Sequence, residues 1–200
     1  MRIKQTSLTS FKSTPLYNVK VKKKDGSGYK ERDAVFSKLD PFDSEDFETV
    51  QKLKEEWGLD TFVVGIAHNF KPVHYKQIKE YFYAIELKGD EPLSERIVSI
   101  CEISSGPFSK CHMPFIQSKP VKDEEKDIKG GGEVLIYGVI KEFKNEEECK
   151  KIELNSITRA IGFYRHIGFK HKDFNDLYCM ELPKDDFEAY ITRVEKKYGF

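Results

Sequence analysis

Alternation of apolar and polar residues at the start of the chain predicts a β-hairpin. Residues 18–22 alternate strictly between polar and apolar side chains, a period of two that is typical of a half-buried strand over residues 16–24. The turn-forming residues 25–28 follow, and residues 29–36 then form the returning strand. We therefore expect the chain to begin with antiparallel strands.

Helical spacing begins after residue 43. Apolar side chains recur at three- to four-residue spacing over residues 47–57, Asp43 or Ser44 is placed to cap the helix, and Gly58 is placed to end it in a left-handed conformation. The apolar residues 61–67 fit a helix or a strand equally well. This region predicts one amphipathic helix and one element of undecided type.

The middle of the chain reads as strands. Residues 81–87 and 96–103 are rich in β-branched and aromatic side chains and are separated by a short link, which predicts an antiparallel hairpin. Residues 113–118 form a third, weaker strand. A charged loop over residues 119–129 follows.

The C-terminal third alternates between helices and strands. A wide apolar stripe predicts a long helix after Gly132. The remaining predicted elements are a strand at 151–155, a helix at 158–167 that Gly168 ends, a strand at 178–182, and a final helix within 183–200 that Asp185 or Asp186 caps. This order predicts a mixed α/β (α+β) fold with a mostly antiparallel central sheet flanked by helices.

Composition limits the class of protein. The chain has 200 residues, which corresponds to a single domain over residues 1–200. Its 34 basic and 34 acidic side chains give a formal net charge of zero, which disfavours a nucleic-acid partner. Residues 1–32 nevertheless carry nine basic and two acidic side chains, a local charge of +7. We interpret this segment as a solvated strand and turn rather than as a binding edge.

Targeting signals and metal motifs are missing from the sequence. No run of 18 apolar residues is present and residues 1–12 lack the apolar core of a secretory signal, so we expect a cytoplasmic protein without a membrane partner. The four cysteines form no Cys-x-x-Cys pair, and we expect them to be reduced and buried. His68 and His74 have no third ligand near them in the sequence, so no metal site is predicted.

Lys129 and three consecutive glycines precede the long apolar helix. Glycines at a helix start let an anion approach the backbone, and the free N–H groups and dipole of the first turn attract it. Neither the phosphate-loop motif GxxxxGK[ST] nor the dinucleotide motif GxGxxG is present. The same glycines also fit an ordinary tight turn, so both interpretations stay open.

The most specific motif follows this helix. Residues 152–169 read IELNSITRAIGFYRHIGF, a strand and then a helix with the pattern Ala-x-x-Phe-Tyr-x-x-x-Gly-Phe. The matching residues are Ala160, Phe163, Tyr164, Gly168 and Phe169. Together with the glycine-rich helix start, this motif resembles the GNAT superfamily of N-acetyltransferases over about residues 80–182. The resemblance implies a GNAT-like sheet with the final helix as an addition.

The resemblance also implies chemistry, namely direct transfer of an acetyl group from the co-substrate acetyl-CoA to an amine. Tyr164 would protonate the departing thiolate, and a base would take a proton from the amine, with Glu102 ranked ahead of Glu153 and His112. The residues expected to bind acetyl-CoA are Ile116, Gln117, Ser118, Lys129, Gly130, Gly131, Gly132, Glu133, Val134, Asn155 and Phe163.

Two departures from the family pattern keep a second function open. Asp127 stands where the family's phosphate loop has Gln or Arg, and Ile157 stands where it has Asn. A non-catalytic GNAT-fold binding module is therefore the alternative. The acceptor amine, whether small molecule or protein, is not defined by the sequence, and the final helix is expected either to pack on the core or to form a homodimer contact.

Overall fold

The computed structural model describes residues 13–72, 78–105, 110–120, 127–173 and 175–200. Residues 1–12 of the basic segment, His74 and most of the charged loop at 119–129 lie outside these ranges. The strands are β1 (Thr14–Asp25), β2 (Gly28–Leu39), β3 (Lys79–Leu87), β4 (Ile97–Ser105), β5 (Lys110–Ser118), β6 (Ile128–Lys129), β7 (Lys151–Asn155), β8 (Lys170–Asp173) and β9 (Asp176–Pro183). The helices are α1 (Ser44–Trp57), α2 (Val63–Asn69), α3 (Leu93–Arg96), α4 (Gly131–Phe143), α5 (Ile161–His166) and α6 (Phe187–Tyr198).

The described strands form one mixed sheet in the order β6-β1-β2-β3-β4-β5-β7-β9-β8. Every neighbouring pair is antiparallel except β5 and β7, which run parallel. The chain reaches β7 from β5 through α4, because a parallel connection needs a crossover element. The predicted fold class, a mostly antiparallel mixed sheet flanked by helices, is confirmed.

Helices cover both faces of the sheet. On one face α1 and α2 pack against β2, β3 and β4 through side chains such as Leu53, Ile66 and Phe82. On the other face α4 and α6 cover Val21, Phe36 and their neighbours. Successive strand residues alternate between these two buried clusters, as the pleat of a strand requires. For convenience we call them the α1/α2 face and the α4/α6 face.

The first helix matches its prediction except at its end. The Asp43 carboxylate accepts a hydrogen bond from the Asp46 backbone N–H at 2.9 Å, so Asp43 rather than Ser44 is the cap. Gly58 has φ 97° and ψ 153°, so the predicted left-handed stop is wrong. The chain leaves α1 in an extended conformation that still needs glycine's freedom at positive φ.

Residues 61–67, which the sequence left undecided, contribute to the helix α2. Gly65 explains why this helix lies so close to the sheet, because a Cβ atom there would overlap the Phe115 ring. Tertiary packing therefore decides what periodicity could not.

The C-terminal elements differ from their prediction in three ways. The predicted helix at 158–167 is a 3₁₀ turn over Thr158–Ala160 followed by the short α5. The charged strand β8 was not predicted, because an edge strand of Lys, His and Asp has no apolar alternation. Neither Asp185 nor Asp186 caps α6 through its side chain; a 3₁₀ turn over Lys184–Asp186 leads into that helix instead.

The expectation of four reduced, buried cysteines is also wrong. Cys111 and Cys149 form a disulfide with their Cα atoms 5.9 Å apart, and Cys179 is half-buried. Sequence spacing gave no sign of this pairing, because the two residues are 38 positions apart and meet only where β5 and β7 come together.

The final helix packs on the core. Phe187, Tyr190, Ile191, Val194 and Tyr198 are buried against the α4/α6 face, so the first of the two expected uses of this helix is the one observed. None of the helices in the described ranges is long and apolar enough to span a bilayer.

Candidate functional site

A notch opens in the sheet where β5 and β7 separate. Among the described residues, these strands pair only at His112 with Glu153 and at Met113 with Leu154. No other described strand pairs with the remaining five residues of β5 on that side. The register of β5 against β4 shifts between His112 and Phe115, which marks a β-bulge next to Pro114. Since proline cannot donate a ladder hydrogen bond, its position helps the strands to part.

Backbone groups of β5 line one wall of this notch. The Lys119 N–H donates to the Val98 carbonyl at 2.9 Å, across the β4 side of the strand. Because strand amides alternate in direction, the amides of Ser118 and Ile116 point away from β4 and into the notch. These are two of the residues predicted to bind acetyl-CoA.

The glycine-rich start of α4 forms the far end of the notch. Gly130 has φ +90°, and a Cβ atom there would overlap the Tyr198 ring. The Ser99 hydroxyl donates to the Gly131 carbonyl at 3.0 Å and holds this turn against β4. A Cβ atom on Gly132 would lie 3.3 Å from the Ser118 hydroxyl and 3.7 Å from the Phe163 ring. A side chain at Gly130 would therefore clash with α6, whereas a Cβ atom on Gly132 would lie close to β5 and α5 without overlapping them.

The first N–H groups of α4 are available to an anion. Val134 N–H donates to the Gly130 carbonyl at 2.9 Å. Within the described part of the chain, the N–H groups of Gly131, Gly132 and Glu133 donate no hydrogen bond. Such groups and the helix dipole attract negative charge. Gly132 is half-buried beside the notch, so its amide is the exposed member of the set.

Two predicted binding residues turn their side chains elsewhere. The buried Glu133 carboxylate accepts hydrogen bonds from the Lys197 ammonium at 2.5 Å and from the Tyr198 hydroxyl at 2.9 Å. Both donors belong to α6, so this carboxylate already has its partners. The Lys129 ammonium lies 3.8 Å from the centre of the Tyr29 ring. Glu133 can therefore serve an anion only through its backbone, and Lys129 points toward β2.

Tyr164 lies at the base of the notch on the α4/α6 face. It is only 6% exposed, and its ring contacts those of Phe163 and Phe169. Burial, together with the nearby Cys101 thiol, raises its pKa well above the usual value for tyrosine. Cys101 pairs with Ile116 across β4 and β5, so Tyr164 lies behind the wall of the notch. Its hydroxyl keeps its proton at every physiological pH.

Glu102 lies on the opposite face and one strand inward. It is 2% exposed, and its two carboxylate oxygens accept from the Asn69 amide at 3.1 and 3.0 Å. Asn69 ends α2, and Phe115 is the residue paired with Glu102 on β5. Glu102 is thus separated from the notch by the width of β5.

Polar side chains occupy the α1/α2 face where β5 meets β7. Lys151 and Lys172 contact the Glu153 carboxylate at 2.6 and 3.0 Å, and Lys151 also contacts Glu181 at 2.6 Å. Burial raises the pKa of Glu153, but the two lysines outweigh it and hold that pKa below its usual value. The pKa of His112 is lowered, mainly by burial.

The structure thus brings together Ser118, Gly132 and Phe163 around the mouth of the notch, with Tyr164 below them. Gln117 lies on the other side of β5, where its side-chain oxygen accepts from the Phe62 N–H at 3.4 Å. Asn155 is exposed at the end of β7, and Val134 is buried in α4. Sequence reasoning missed Ser99, because nothing in a central strand signals that its hydroxyl will hold a distant glycine turn.

A separate cleft of about 440 Å³ lies far along the sheet, between β2, the start of α1 and β3. Lys38, Asp40, Phe42, Ile78 and Tyr81 are among its lining residues. It contains none of the predicted site residues. The notch, although it is open rather than enclosed, is the place where the candidate chemistry converges.

Comparison with known proteins supports the fold alone. No protein-family model and no curated protein matches the chain. A chain from the crystal structure of the KacTA–DNA complex has a similar fold, with a TM-score of 0.50 and 19% sequence identity. The match covers 68% of this chain and 84% of that chain. At this identity the likeness concerns the arrangement of helices and strands.

Proposed function

We propose that this protein is an acetyl-CoA-dependent N-acetyltransferase that transfers an acetyl group to an amine. The observation that carries the proposal is the start of α4, where unpaired N–H groups beside Gly132 face the gap between β5 and α5. The resemblance of residues 152–169 to the GNAT superfamily and the notch between β5 and β7 support it.

The residues at the notch suit a long, anionic thioester. The α4 N–H groups would bind its pyrophosphate, since helix starts favour phosphate. The inward amides of Ile116 and Ser118 would pair with the amide-rich arm, much as an added strand pairs with a sheet edge. Phe163 is 40% exposed at the mouth and offers an apolar surface. Acetyl-CoA supplies the acetyl group and an activated leaving thiolate.

Tyr164 is the proposed acid. An amine that attacks the thioester carbonyl forms a C–N bond while the C–S bond breaks, and the departing thiolate needs a proton. Burial keeps the Tyr164 hydroxyl protonated, and the nearby Cys101 pairs with Ile116 of the notch wall. A backbone N–H of β5 would stabilise negative charge on the carbonyl oxygen. The amine's proton passes to a base on the other side of the sheet.

Calorimetric titration with acetyl-CoA, followed by a thiol-release assay with a panel of amines, tests the proposal. We expect micromolar to millimolar binding and release of one thiol for each acetylated amine. Absence of binding at millimolar acetyl-CoA would contradict the proposal.

A non-catalytic binding module is the second candidate. The engagement of Glu133 by Lys197 and Tyr198 favours it, because α6 covers part of the turn that an anion would use. Binding of acetyl-CoA without release of thiol from any amine would select this candidate. The similar KacTA chain comes from a DNA complex, so a titration with duplex DNA at two salt concentrations tests our expectation of no nucleic-acid partner.

A further inference from the structure

A row of polar side chains crosses four strands on the α1/α2 face. Ser104 pairs with His112, His112 pairs with Glu153, and Glu153 pairs with Glu181. Residues that pair directly across strands point to the same face. Leu154 and Met180, their neighbours in sequence, belong to the buried cluster of the opposite face. The row therefore lies on the side of the sheet opposite to Tyr164.

His112 occupies the apex of the notch within this row. The pair formed by His112 and Glu153 is followed by only one more pair before β5 and β7 separate. His112 is half-buried, whereas Glu102 is fully buried beneath Asn69. Of the three residues predicted as base, His112 and Glu153 flank the opening, and Glu102 does not.

The charged groups around His112 favour its neutral form. Burial lowers its pKa, Glu153 on β7 raises it, and Lys172 on β8 lowers it, with a net decrease. Lys151 and Glu181 lie on the same face of the sheet, where the Lys151 ammonium contacts the carboxylates of both Glu153 and Glu181. Glu102 on β4 contacts Asn69. A neutral imidazole can accept a proton, whereas the lysine-bound Glu153 carboxylate has two cations to compete with the proton.

We propose that His112 is the base that takes the proton from the acceptor amine, and that Glu153, held by Lys151 and Lys172, positions the imidazole. The inference rests on the proposed function and deepens it. His112 accepts one proton as the C–N bond forms, and Tyr164 gives one proton to the departing thiolate as the C–S bond breaks. After the amide and the thiol leave, His112 releases its proton to solvent and Tyr164 regains one from solvent. The two proton transfers thus take place on opposite faces of the sheet, with the notch between them.

The pH dependence of kcat/KM, with one acceptor throughout, tests this assignment. We expect the wild-type protein to show a rising limb whose apparent pKa lies below 6.5, the usual value for histidine. NMR titration of the His112 imidazole in the ligand-free protein should give the same pKa. The His112→Gln variant should lose the limb and about 10²–10⁴-fold in kcat/KM. Its affinity for acetyl-CoA should not change.

Two further variants make the test specific. Glu153→Gln should move both the imidazole titration and the limb to lower pH, because the carboxylate raises the pKa of His112. His166→Gln, at an exposed position of α5, is the matched control and should behave as wild type. An unchanged limb in His112→Gln, or the same losses in Glu102→Gln instead, would overturn the assignment and leave the proposed function intact. Absence of acetyl-CoA binding by the wild type would overturn both.

Discussion

The two faces of the sheet differ sharply where β5 and β7 part. On the α4/α6 face, Tyr164 is 6% exposed among aromatic rings and aliphatic side chains. On the α1/α2 face at the same strands, Glu153 and Lys151 form ion pairs with side chains 13% and 37% exposed. One face is apolar and holds the proposed proton donor, and the other remains polar.

This difference matters because the strand pairing between β5 and β7 is interrupted. A continuous sheet would isolate its faces from each other, because paired backbones leave no passage between them. We propose that the gap beyond Met113 and Leu154 gives a ligand access to side chains on both faces. The following changes separate the contributions of the two faces.

Replacing Tyr164 with Phe tests the covered face and should have the largest effect. The ring packing is retained, and the hydroxyl has no hydrogen-bond partner among the described residues, so stability should change little. Loss of the proton donor should lower kcat by about 10²–10⁴-fold. A thiol-release assay measures kcat, and thermal unfolding measures stability. An unchanged kcat would show that Tyr164 is not the proton donor, and the covered face would then have no assigned catalytic role.

Gly138→Ala tests how tightly the covered face is packed. A Cβ atom at Gly138 would overlap the Phe36 ring, so α4 must shift away from the sheet. We expect the free energy of unfolding to fall by about 1–3 kcal/mol in urea denaturation. The control is Gly162→Ala in α5, where nothing lies within 4 Å of the new atom. That variant should be as stable as wild type or more stable by up to about 1 kcal/mol. Equal effects of both substitutions would show that packing at Phe36 is loose.

Glu153→Gln tests the polar face and should lower stability less than Gly138→Ala does. The lysines hold the Glu153 pKa below its unfolded value of 4.5, so its stabilisation is present above that pH. It is lost as pH falls through the folded-state pKa. We expect a destabilisation of about 0.5–1 kcal/mol at pH 7 that disappears in acid. A difference between wild type and variant that stays constant down to pH 3 would contradict the role of these ion pairs.

The sequence predicted the covered face better than the polar face. The apolar stripe of α4 and the alternation of residues 151–155 define positions that must be buried, so the elements of that face follow from periodicity. The Phe-Tyr motif likewise placed Tyr164. Such signals depend only on neighbours along the chain.

The polar face depends on contacts between distant residues. Glu153 reads as a solvent-exposed strand residue, and its lysine partners include Lys172 in an unpredicted edge strand. The Cys111–Cys149 disulfide and the Ser99 contact to Gly131 are long-range in the same way. The choice of Glu102 as the base depends on the strand register, which the sequence does not define. In the structure this register places Glu102 on β4, one strand away from the notch.

The central claim is that the start of α4 binds the phosphates of acetyl-CoA, and paired calorimetric titrations of wild type and Gly132→Asp test it most directly. An acid in the first helical turn favours the helix but repels an anion, so the variant should fold at least as stably. The matched control is Gly28→Ala in β2, where a new Cβ atom meets nothing within 4 Å. We predict that wild type and control bind acetyl-CoA alike and that Gly132→Asp binds at least about tenfold more weakly, a loss of about 1.4 kcal/mol. Equal affinity in all three proteins, or no binding by any, would contradict the claim.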